Sequence, residues 1–208
     1  MIGMSYDYQQ THENILKSAR KHFKRNGFRN ASIRTICKDA GVTNGAFYAH
    51  FSSKEELFGC IVRPCIEGLL NLYSSEKEQF FDIKCSEDII EAFKKSYSSY
   101  EKAISYICGH KEEFLLLLDS GEGSGYECFL NTLINEETEN TLKFLTVSKK
   151  FISKKENISE NIARLGASFL IMTIFNGLRN DQTADEIVKE TSVVSEYCIA
   201  GYRHTLGI

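Results

Sequence analysis

The sequence of 208 residues predicts an all-α protein. Apolar residues recur at helical spacing along almost the whole chain, which is the main signal for amphipathic helices. Pro64 is the only proline in the sequence, and no alternation of Val, Ile and Thr is long enough to predict a sheet. The hydrophobic content of 42% is sufficient to build a core. We therefore expect a folded protein built from helices, about nine in total.

The first predicted helix covers about residues 10–26. Its apolar residues form one stripe, and a glycine after the last turn is a common helix stop, so Gly27 ends it. The stripe consists of Ile15, Leu16, Ala19 and Phe23.

Two short helices follow. Ser32 is the predicted cap of the second helix, and Gly41 ends it. Its apolar residues are spaced i, i+3, i+4 and i+7, as on one helical face: Ile33, Ile36, Cys37 and Ala40. The third helix is predicted from Thr43 to about Phe51. Two short helices joined by a tight turn that contains a glycine have the spacing of a helix-turn-helix unit.

The remaining helices are longer. Ser53 and Glu56 predict a capping box that opens the fourth helix. Pro64 is expected to kink or split this helix, because proline lacks an N–H group and crowds the preceding turn. The later helices are predicted at about 86–108, 110–119, 125–151, 158–179 and 184–205, with an interior loop at 119–125. We divide the chain into a head, residues 1–52, and a larger helical domain, residues 53–208.

Charge and composition limit the classes of function. Residues 1–60 hold nine Lys/Arg against five Asp/Glu, whereas the rest of the chain holds sixteen against twenty-three. A basic head on an acidic body suggests that the head contacts a polyanion. The seven cysteines are odd in number and include no CxxC, so we expect neither disulfides nor a metal site, and a cytoplasmic location. No cofactor motif is present.

The chain shows no sign of a membrane segment or of an active site. The N-terminal residues lack the long apolar run of a secretory signal, and the apolar stretch at 165–178 is too short to span a bilayer. Cys108 and His110 are the nearest pair for nucleophilic catalysis, but residues two apart do not share a helix face. We therefore do not expect an enzyme.

The third helix carries the candidate DNA-contacting residues. Phe47 and Phe51 are four residues apart and are predicted to pack against the first two helices. The opposite face then presents its N-terminal residues to base edges in a major groove; these are Thr43, Asn44, Gly45 and Ala46. Hydroxyl, imidazole and ammonium groups nearby are suited to phosphate oxygens; these are Ser32, Tyr48, His50 and Lys54.

The segment ILKSARKHFKRNGFRNASIRTICKDAGVTNGAFYAHFSSKEELF resembles the N-terminal domain of the TetR/AcrR transcriptional regulators. The resemblance covers about residues 10–60 and includes the AxxxF of the first helix, the DAGV turn, the FYxHF helix and SKEEL in that order. It implies a homodimeric regulator, usually a repressor, that binds a palindromic double-stranded DNA operator and is released by a small-molecule effector. Asn44 and Ala46 depart from the lysine and threonine that are common in the family.

The last two helices are predicted to form a dimer interface as a four-helix bundle. The interface residues are Phe169, Thr173, Val194, Cys198 and Tyr202. The alternative is that both helices pack only inside the monomer.

The candidate ligand-pocket residues are Cys108, Phe114 and Tyr126, for an effector that is cationic or neutral and amphipathic. The alternatives are that Phe114 is ordinary core and that Tyr126 belongs to a hydrated loop. Pro64 is a candidate for coupling ligand binding to DNA release, or else a static feature.

One other function remains open at this point. A TetR-like protein that has lost operator binding would act through contacts with another protein, as a coactivator or assembly factor. The residues suited to phosphate contact, such as Tyr48 and Lys54, count against this alternative.

Overall fold

The computed structural model describes residues 6–77, 86–151 and 158–207. Within these ranges the chain forms nine α-helices, one short 3-10 helix and no strand, which confirms the all-α prediction. The first five residues, part of the stretch excluded above as a secretory signal, lie outside the described ranges. The helices are α1 (Tyr6–Asn30), α2 (Ile33–Ala40), α3 (Asn44–His50), α4 (Lys54–Lys77), α5 (Ser86–Gly109), α6 (Lys111–Ser120), α7 (Phe129–Ser148), the 3-10 helix (Lys149–Phe151), α8 (Glu160–Arg179) and α9 (Ala184–Leu206).

Gly27 interrupts α1 as the sequence predicts. Its backbone has φ 72° and ψ 162°, outside the helical region, so the last residues of α1 form a separate turn after a break. A side chain at this φ is strained, which explains why glycine stands here. The amide of Ala31 closes the turn on the Gly27 carbonyl oxygen at 3.1 Å.

Local signals set the ends of α2 and α3. Ser32 occupies the cap position of α2, but its side chain makes no capping hydrogen bond. Gly41 follows α2 with φ 70° in the left-handed region, where glycine is favoured. Thr43 caps α3, because its hydroxyl accepts a hydrogen bond from the Ala46 amide at 3.1 Å.

The cap of α4 differs in one bond from the predicted capping box. The Ser53 hydroxyl accepts from the Glu56 amide at 3.0 Å, as expected. The Glu56 carboxylate, however, accepts from the amide and the hydroxyl of Ser52, one residue further back. These hydrogen bonds, the hydroxyl bond first, lower the pKa of Glu56 together with a smaller contribution from the charge of Arg63.

Pro64 does not split α4, which was one of the two outcomes expected from its missing N–H group; the other, a kink, stays a prediction. The helix is continuous from Lys54 to Lys77. Pro64 itself is exposed, whereas the neighbouring residues Val62, Cys65 and Leu69 are buried. Burial of this side holds the helix together although proline removes one backbone hydrogen bond.

The seventh helix begins four residues later than predicted, at Phe129 instead of 125. Gly123 and Gly125 have φ 82° and 85°, so the chain continues as a turn in this region. The Ser124 hydroxyl donates to the Gly121 carbonyl oxygen at 2.5 Å within the same turn.

The described residues form two compact units. The N-terminal unit contains the chain up to Glu67 together with Glu112–Cys128, and the C-terminal unit contains Gly68–Lys111 and the chain from Phe129 onward. These units differ from the division at residue 52, because α6 and its following loop group with the first helices. The functional division into 1–52 and 53–208 stays a prediction.

An aromatic cluster forms the core of the N-terminal unit. The ring centroid of Phe23 lies 5.7 Å from that of Phe28 and 5.1 Å from that of Phe58. All three rings are buried, so they fix α1 against the start of α4. Large buried aromatic rings are major contributors to core stability.

In the C-terminal unit, α8 packs against α7 and α9. Among the described residues, α8 is the helix that is long and apolar enough to cross a membrane by length and composition, and half of the window concerned is buried inside the protein. A core helix passes the same test, and the contacts of α8 identify it as one. The capping box of Thr183 and Glu186 at the start of α9 is complete in both directions.

Candidate nucleic-acid interface

Helix α2, the turn at Gly41 and helix α3 form a helix-turn-helix unit. The amide of Val42 donates to the Cys37 carbonyl oxygen at 3.0 Å, which tightens the turn. Phe47 and Phe51 are buried, as the sequence predicts, and their ring centroids are 5.7 Å apart. The inward face of α3 is therefore fixed by two aromatic side chains.

Polar contacts hold α2 on α1. The Ser18 hydroxyl lies 2.9 Å from the Ile36 carbonyl oxygen and 3.2 Å from the Asp39 carboxylate. Lys21 also contacts Asp39 at 3.2 Å, and its ammonium group is the largest cause of the lowered pKa of Asp39. These contacts orient the helix that precedes α3.

The leading edge of α3 is free of protein packing. Thr43, Asn44 and Gly45 are exposed, and Ala46 is half-buried. Apart from its chain neighbours and the backbone of its own helix, the only atom of the described residues that would lie within 4 Å of a Cβ added at Gly45 is the Thr43 hydroxyl oxygen, at 3.8 Å. Another molecule can therefore approach the backbone closely at this point. The four predicted base-contacting residues lie together at one end of one helix.

Ser32 and Tyr48 present hydroxyl groups to solvent. Tyr48 is 59% exposed, which is high for a large aromatic side chain. Within the described part of the chain, neither hydroxyl forms a hydrogen bond to a protein atom, since the cap position of Ser32 is not closed by its side chain. Both groups are available to phosphate oxygens, and the contact itself stays a prediction.

His50 is half-buried instead of lying on the open surface. Its ring centroid lies 3.9 Å from that of Tyr8 and 5.5 Å from that of His12, both on α1. Burial, with a smaller contribution from the charge of His12, lowers the pKa of His50. A neutral imidazole at pH 7 follows, so any phosphate contact of His50 would be a hydrogen bond without an ionic component. Helical periodicity does not predict this packing, because Tyr8 and His12 precede His50 by about forty residues.

Lys54 differs most from its expected role. Its ammonium group donates to the carbonyl oxygens of Phe28, Arg29 and Ala31 at 2.8, 3.3 and 3.0 Å. It also lies 4.4 Å from the centroid of the Phe28 ring. An ammonium group has three protons, so all three are engaged at the end of α1. The structure gives Lys54 a structural position, and the predicted phosphate contact would have to displace these bonds.

Two sets of basic side chains in the N-terminal unit differ in their contacts. Arg20, Lys21 and Arg29 form ion pairs with Glu113, Asp39 and Glu122. On α2, by contrast, Arg34 and Lys38 are exposed and one helical turn apart. Since the first helix of a helix-turn-helix crosses the DNA backbone, these two cations are placed for phosphate contacts.

The three predicted pocket residues are divided between the units. Phe114 is buried in the N-terminal unit, where Tyr126 also lies and accepts hydrogen bonds from Arg63 at 3.2 and 3.3 Å. Cys108 belongs to the C-terminal unit, and burial raises its pKa. Phe114 is therefore a core residue, and a pocket formed by all three stays a prediction.

An exposed apolar stripe runs along α8, and it includes the predicted interface residue Phe169. The side chains of Ile162, Leu165 and Phe169 are each about half exposed, and Met172 continues the stripe. Thr173 is half-buried, and its hydroxyl donates to the Phe169 carbonyl oxygen at 2.7 Å.

On α9 the exposed apolar residues are Val193 and Tyr197, which the sequence analysis did not select. Of the predicted residues, Val194 and Cys198 are half-buried, and the hydroxyl of Tyr202 packs against α8 at Gly166. The residues predicted from the sequence lie on the stripe next to the exposed one, and their place in a dimer interface stays a prediction.

Comparisons with known proteins agree with this geometry. Residues 15–60, which contain the helix-turn-helix, match the family described as bacterial regulatory proteins of the tetR family. The HTH-type transcriptional regulator UidR of Escherichia coli K12 is 26% identical over 194 residues, which cover 92% of this chain and 91% of UidR.

Solved structures also share the fold. NalD, the secondary repressor of the MexAB-OprM multidrug efflux pump in Pseudomonas aeruginosa, superposes with a TM-score of 0.63 at 20% identity, over 95% of this chain and 98% of NalD. FadR from Bacillus subtilis, in complex with stearoyl-CoA, superposes with a TM-score of 0.51 at 21% identity, over 91% and 98%.

The fold and the exposed helix-turn-helix define a DNA-binding transcriptional regulator. Residues 15–60 match the TetR family of these regulators, and the resemblance that the sequence indicated over residues 10–60 is confirmed. Its relatives are regulators of transcription, a class without enzymatic activity.

Proposed function

We propose that this protein is a homodimeric repressor in the cytoplasm that binds a palindromic operator and is released by a small molecule. The observation that supports it best is the free leading edge of α3, where Thr43, Asn44 and Gly45 are exposed beside the buried Phe47. An amide side chain at this position is suited to the edge of an adenine. A single short helix reads few base pairs, so two linked heads are needed for affinity.

The apolar stripe of α8 supports the dimer. Four large apolar side chains on one helix face, three of them about half exposed, are unusual for the surface of a monomer. A two-fold axis would place the same stripe of two protomers together and remove it from water. Because NalD is a repressor, repression is the direction of regulation that we propose.

DNA binding is tested with the promoter region upstream of the protein's own gene. Fluorescence anisotropy should show binding that weakens steeply between 50 and 200 mM salt, because phosphate contacts release counterions. Asn44→Ala should reduce the preference for this DNA over a random sequence by about 5–150-fold, the range for one good base contact. Asn131→Ala is the control, since Asn131 is an exposed asparagine on α7.

Two outcomes would contradict the proposal. One is an Asn44→Ala variant with the sequence preference of the wild type. The other is wild-type protein that binds no DNA at low salt, which would favour the alternative of a regulator that acts through protein contacts.

The dimer is tested by placing a charge in the α8 stripe. Phe169→Glu should convert the protein to a monomer in sedimentation velocity, because the carboxylate would be buried without a partner. Asn131→Glu adds the same charge on α7 and should leave the dimer intact. A dimeric Phe169→Glu protein would exclude this stripe as the interface.

A further inference from the structure

A carboxylate held by two tyrosines lies in the C-terminal unit. Glu137 of α7 accepts a hydrogen bond from the Tyr73 hydroxyl on its Oε2 atom and from the Tyr100 hydroxyl on its Oε1 atom, both at 2.7 Å. Tyr73 belongs to α4 and Tyr100 to α5, so three helices meet at this carboxylate. Both of its oxygen atoms are oriented by neutral donors.

The tyrosines leave the charge of Glu137 uncompensated. Burial first, and then the negative charge of Glu137, raise the pKa values of Tyr73 and Tyr100 well above their usual range. The pKa of Tyr202 on α9 is also raised, to about 12, mainly by burial and with smaller contributions from Cys198 and Glu137. The phenols therefore stay neutral at all physiological pH values, and they donate hydrogen bonds without supplying positive charge.

No cation of the described residues neutralises Glu137. The guanidinium of Arg164, on the neighbouring α8, donates instead to the side-chain oxygen of Asn135. The ion pair of α7 joins Glu139 to Lys143 on the exposed surface. A carboxylate that is partly removed from water and lacks a counter-charge is unfavourable by itself. Since Glu137 is only half-buried, a ligand can reach it from solvent.

The groups around Glu137 are better suited to an organic cation than to a metal ion. Two tyrosine rings lie next to the carboxylate, because the hydroxyl groups of Tyr73 and Tyr100 both donate to it. Aromatic rings attract ammonium and quaternary groups through their electron-rich faces. A metal ion prefers several carboxylate, imidazole or thiolate ligands, and no group of three such side chains occurs among the described residues.

We propose that Glu137, with Tyr73 and Tyr100, binds the cationic group of an amphipathic organic molecule. The site differs from the pocket residues predicted from the sequence. The further statement that this molecule is the effector rests on the proposed function, because it requires a regulator whose DNA binding responds to ligand.

The charge preference is tested with probes of matched shape. Tetraphenylphosphonium and tetraphenylborate have nearly the same size but opposite charge, and phenyltrimethylammonium is a smaller cation. Isothermal titration calorimetry with the full-length wild-type protein should show at least one of the two cations binding more than tenfold tighter than tetraphenylborate. Equal or tighter binding of the anion, or no binding of either cation at 1 mM, would overturn the proposal.

The position of the site is tested with Glu137→Gln, which keeps the shape and one hydrogen-bond acceptor but removes the charge. Cation affinity should fall at least tenfold, whereas Glu139→Gln on the exposed side of α7 should bind like the wild type. Circular dichroism and thermal unfolding check that both variants fold. If Glu137→Gln does not fold, Glu137→Asp supplies the second test, since it keeps the charge but withdraws it by one methylene and should weaken binding at least threefold. Unchanged cation affinity in the folded variant would overturn the assignment.

A separate measurement tests the regulatory role. The cation that binds should reduce the affinity of the wild-type protein for its promoter DNA, and it should leave that of Glu137→Gln unchanged. Glu137-dependent cation binding without an effect on DNA would keep the site and remove its role as an effector site. Absence of any DNA binding would refute the proposed function and leave the calorimetric result intact.

Discussion

Replacing Lys54 with methionine is expected to destabilise the protein and to leave the salt dependence of DNA binding unchanged. Methionine keeps a similar length and the apolar stem, but it removes the ammonium group that contacts three carbonyl oxygens of residues 28–31. The substitution therefore distinguishes two roles of Lys54. One is the set of contacts with the three carbonyl oxygens, which we call the clamp, and the other is the phosphate contact that the sequence suggested.

The magnitude follows from the contacts of the ammonium group. Hydrogen bonds to a charged group contribute about 1.5–3 kcal/mol each, and an exposed cation–π contact contributes about 0.5–1 kcal/mol. The three hydrogen bonds share one ammonium, and water can solvate the freed carbonyl groups. We therefore count the equivalent of one charged hydrogen bond and the ring contact, which gives a loss of about 2–4 kcal/mol in the free energy of unfolding.

Urea denaturation at fixed protomer concentration measures this loss, because the stability of a dimer depends on concentration. Lys24→Met is the control, since Lys24 is exposed on α1 and its replacement should change the stability by less than about 0.5 kcal/mol. A phosphate contact predicts a different result, namely a salt slope of DNA binding reduced by about 1.8 for the two protomers. Wild-type stability together with a reduced slope would refute the clamp.

Two further predictions concern packing and pH. Gly177→Ala would place a Cβ atom 2.6 Å from Cγ1 of the buried Ile187, so it should destabilise the protein by about 1–3 kcal/mol in urea denaturation, whereas Gly201→Ala has open space and should be neutral or slightly stabilising. The pKa of His50 is lowered in the folded state, so protonation favours the unfolded state, and the free energy of unfolding should fall as the pH drops from about 6.5 through the folded-state pKa. His50→Phe should reduce the difference between urea midpoints at pH 7.5 and 5.0; a difference equal to that of the wild type would contradict this assignment.

Local signals predicted the helix-turn-helix because each of its boundaries depends on adjacent residues. Gly27 and Gly41 have the positive φ angles that end helices, and Thr43 caps the helix that follows it. Phe47 and Phe51 are buried because their spacing places both on one helix face. For such features the sequence carries most of the information.

Contacts between distant residues could not be predicted in this way. Lys54 contacts carbonyl groups 23 to 26 residues earlier in the chain, and Glu137 contacts tyrosines that are 64 and 37 residues away. Periodicity does not tell which helices become neighbours. A carboxylate on the partly polar face of α7 therefore looks like any solvated side chain until α4 and α5 are placed beside it.

The buried face of the last helix could not be predicted from the sequence either. It carries apolar side chains on two adjacent stripes, one with Val194 and Cys198 and the other with Val193 and Tyr197. Both stripes satisfy the helical period. The packing of Tyr202 against Gly166 decides which stripe turns inward, and this contact depends on tertiary structure.

The grouping of Glu112–Cys128 with the first helices matters for anyone who builds chimeric regulators. Arg20 contacts Glu113 at 2.5 Å, and Arg63 donates to the Tyr126 hydroxyl, so both contacts join the first 67 residues to a segment some sixty or more residues further along. A graft cut at residue 52 would transfer α3 but separate Arg20 from Glu113, and it would also remove residues 53–67 from the rest of their unit. Transplants of operator specificity should therefore either exchange α3 alone, or carry residues 112–128 together with the whole of the first 67.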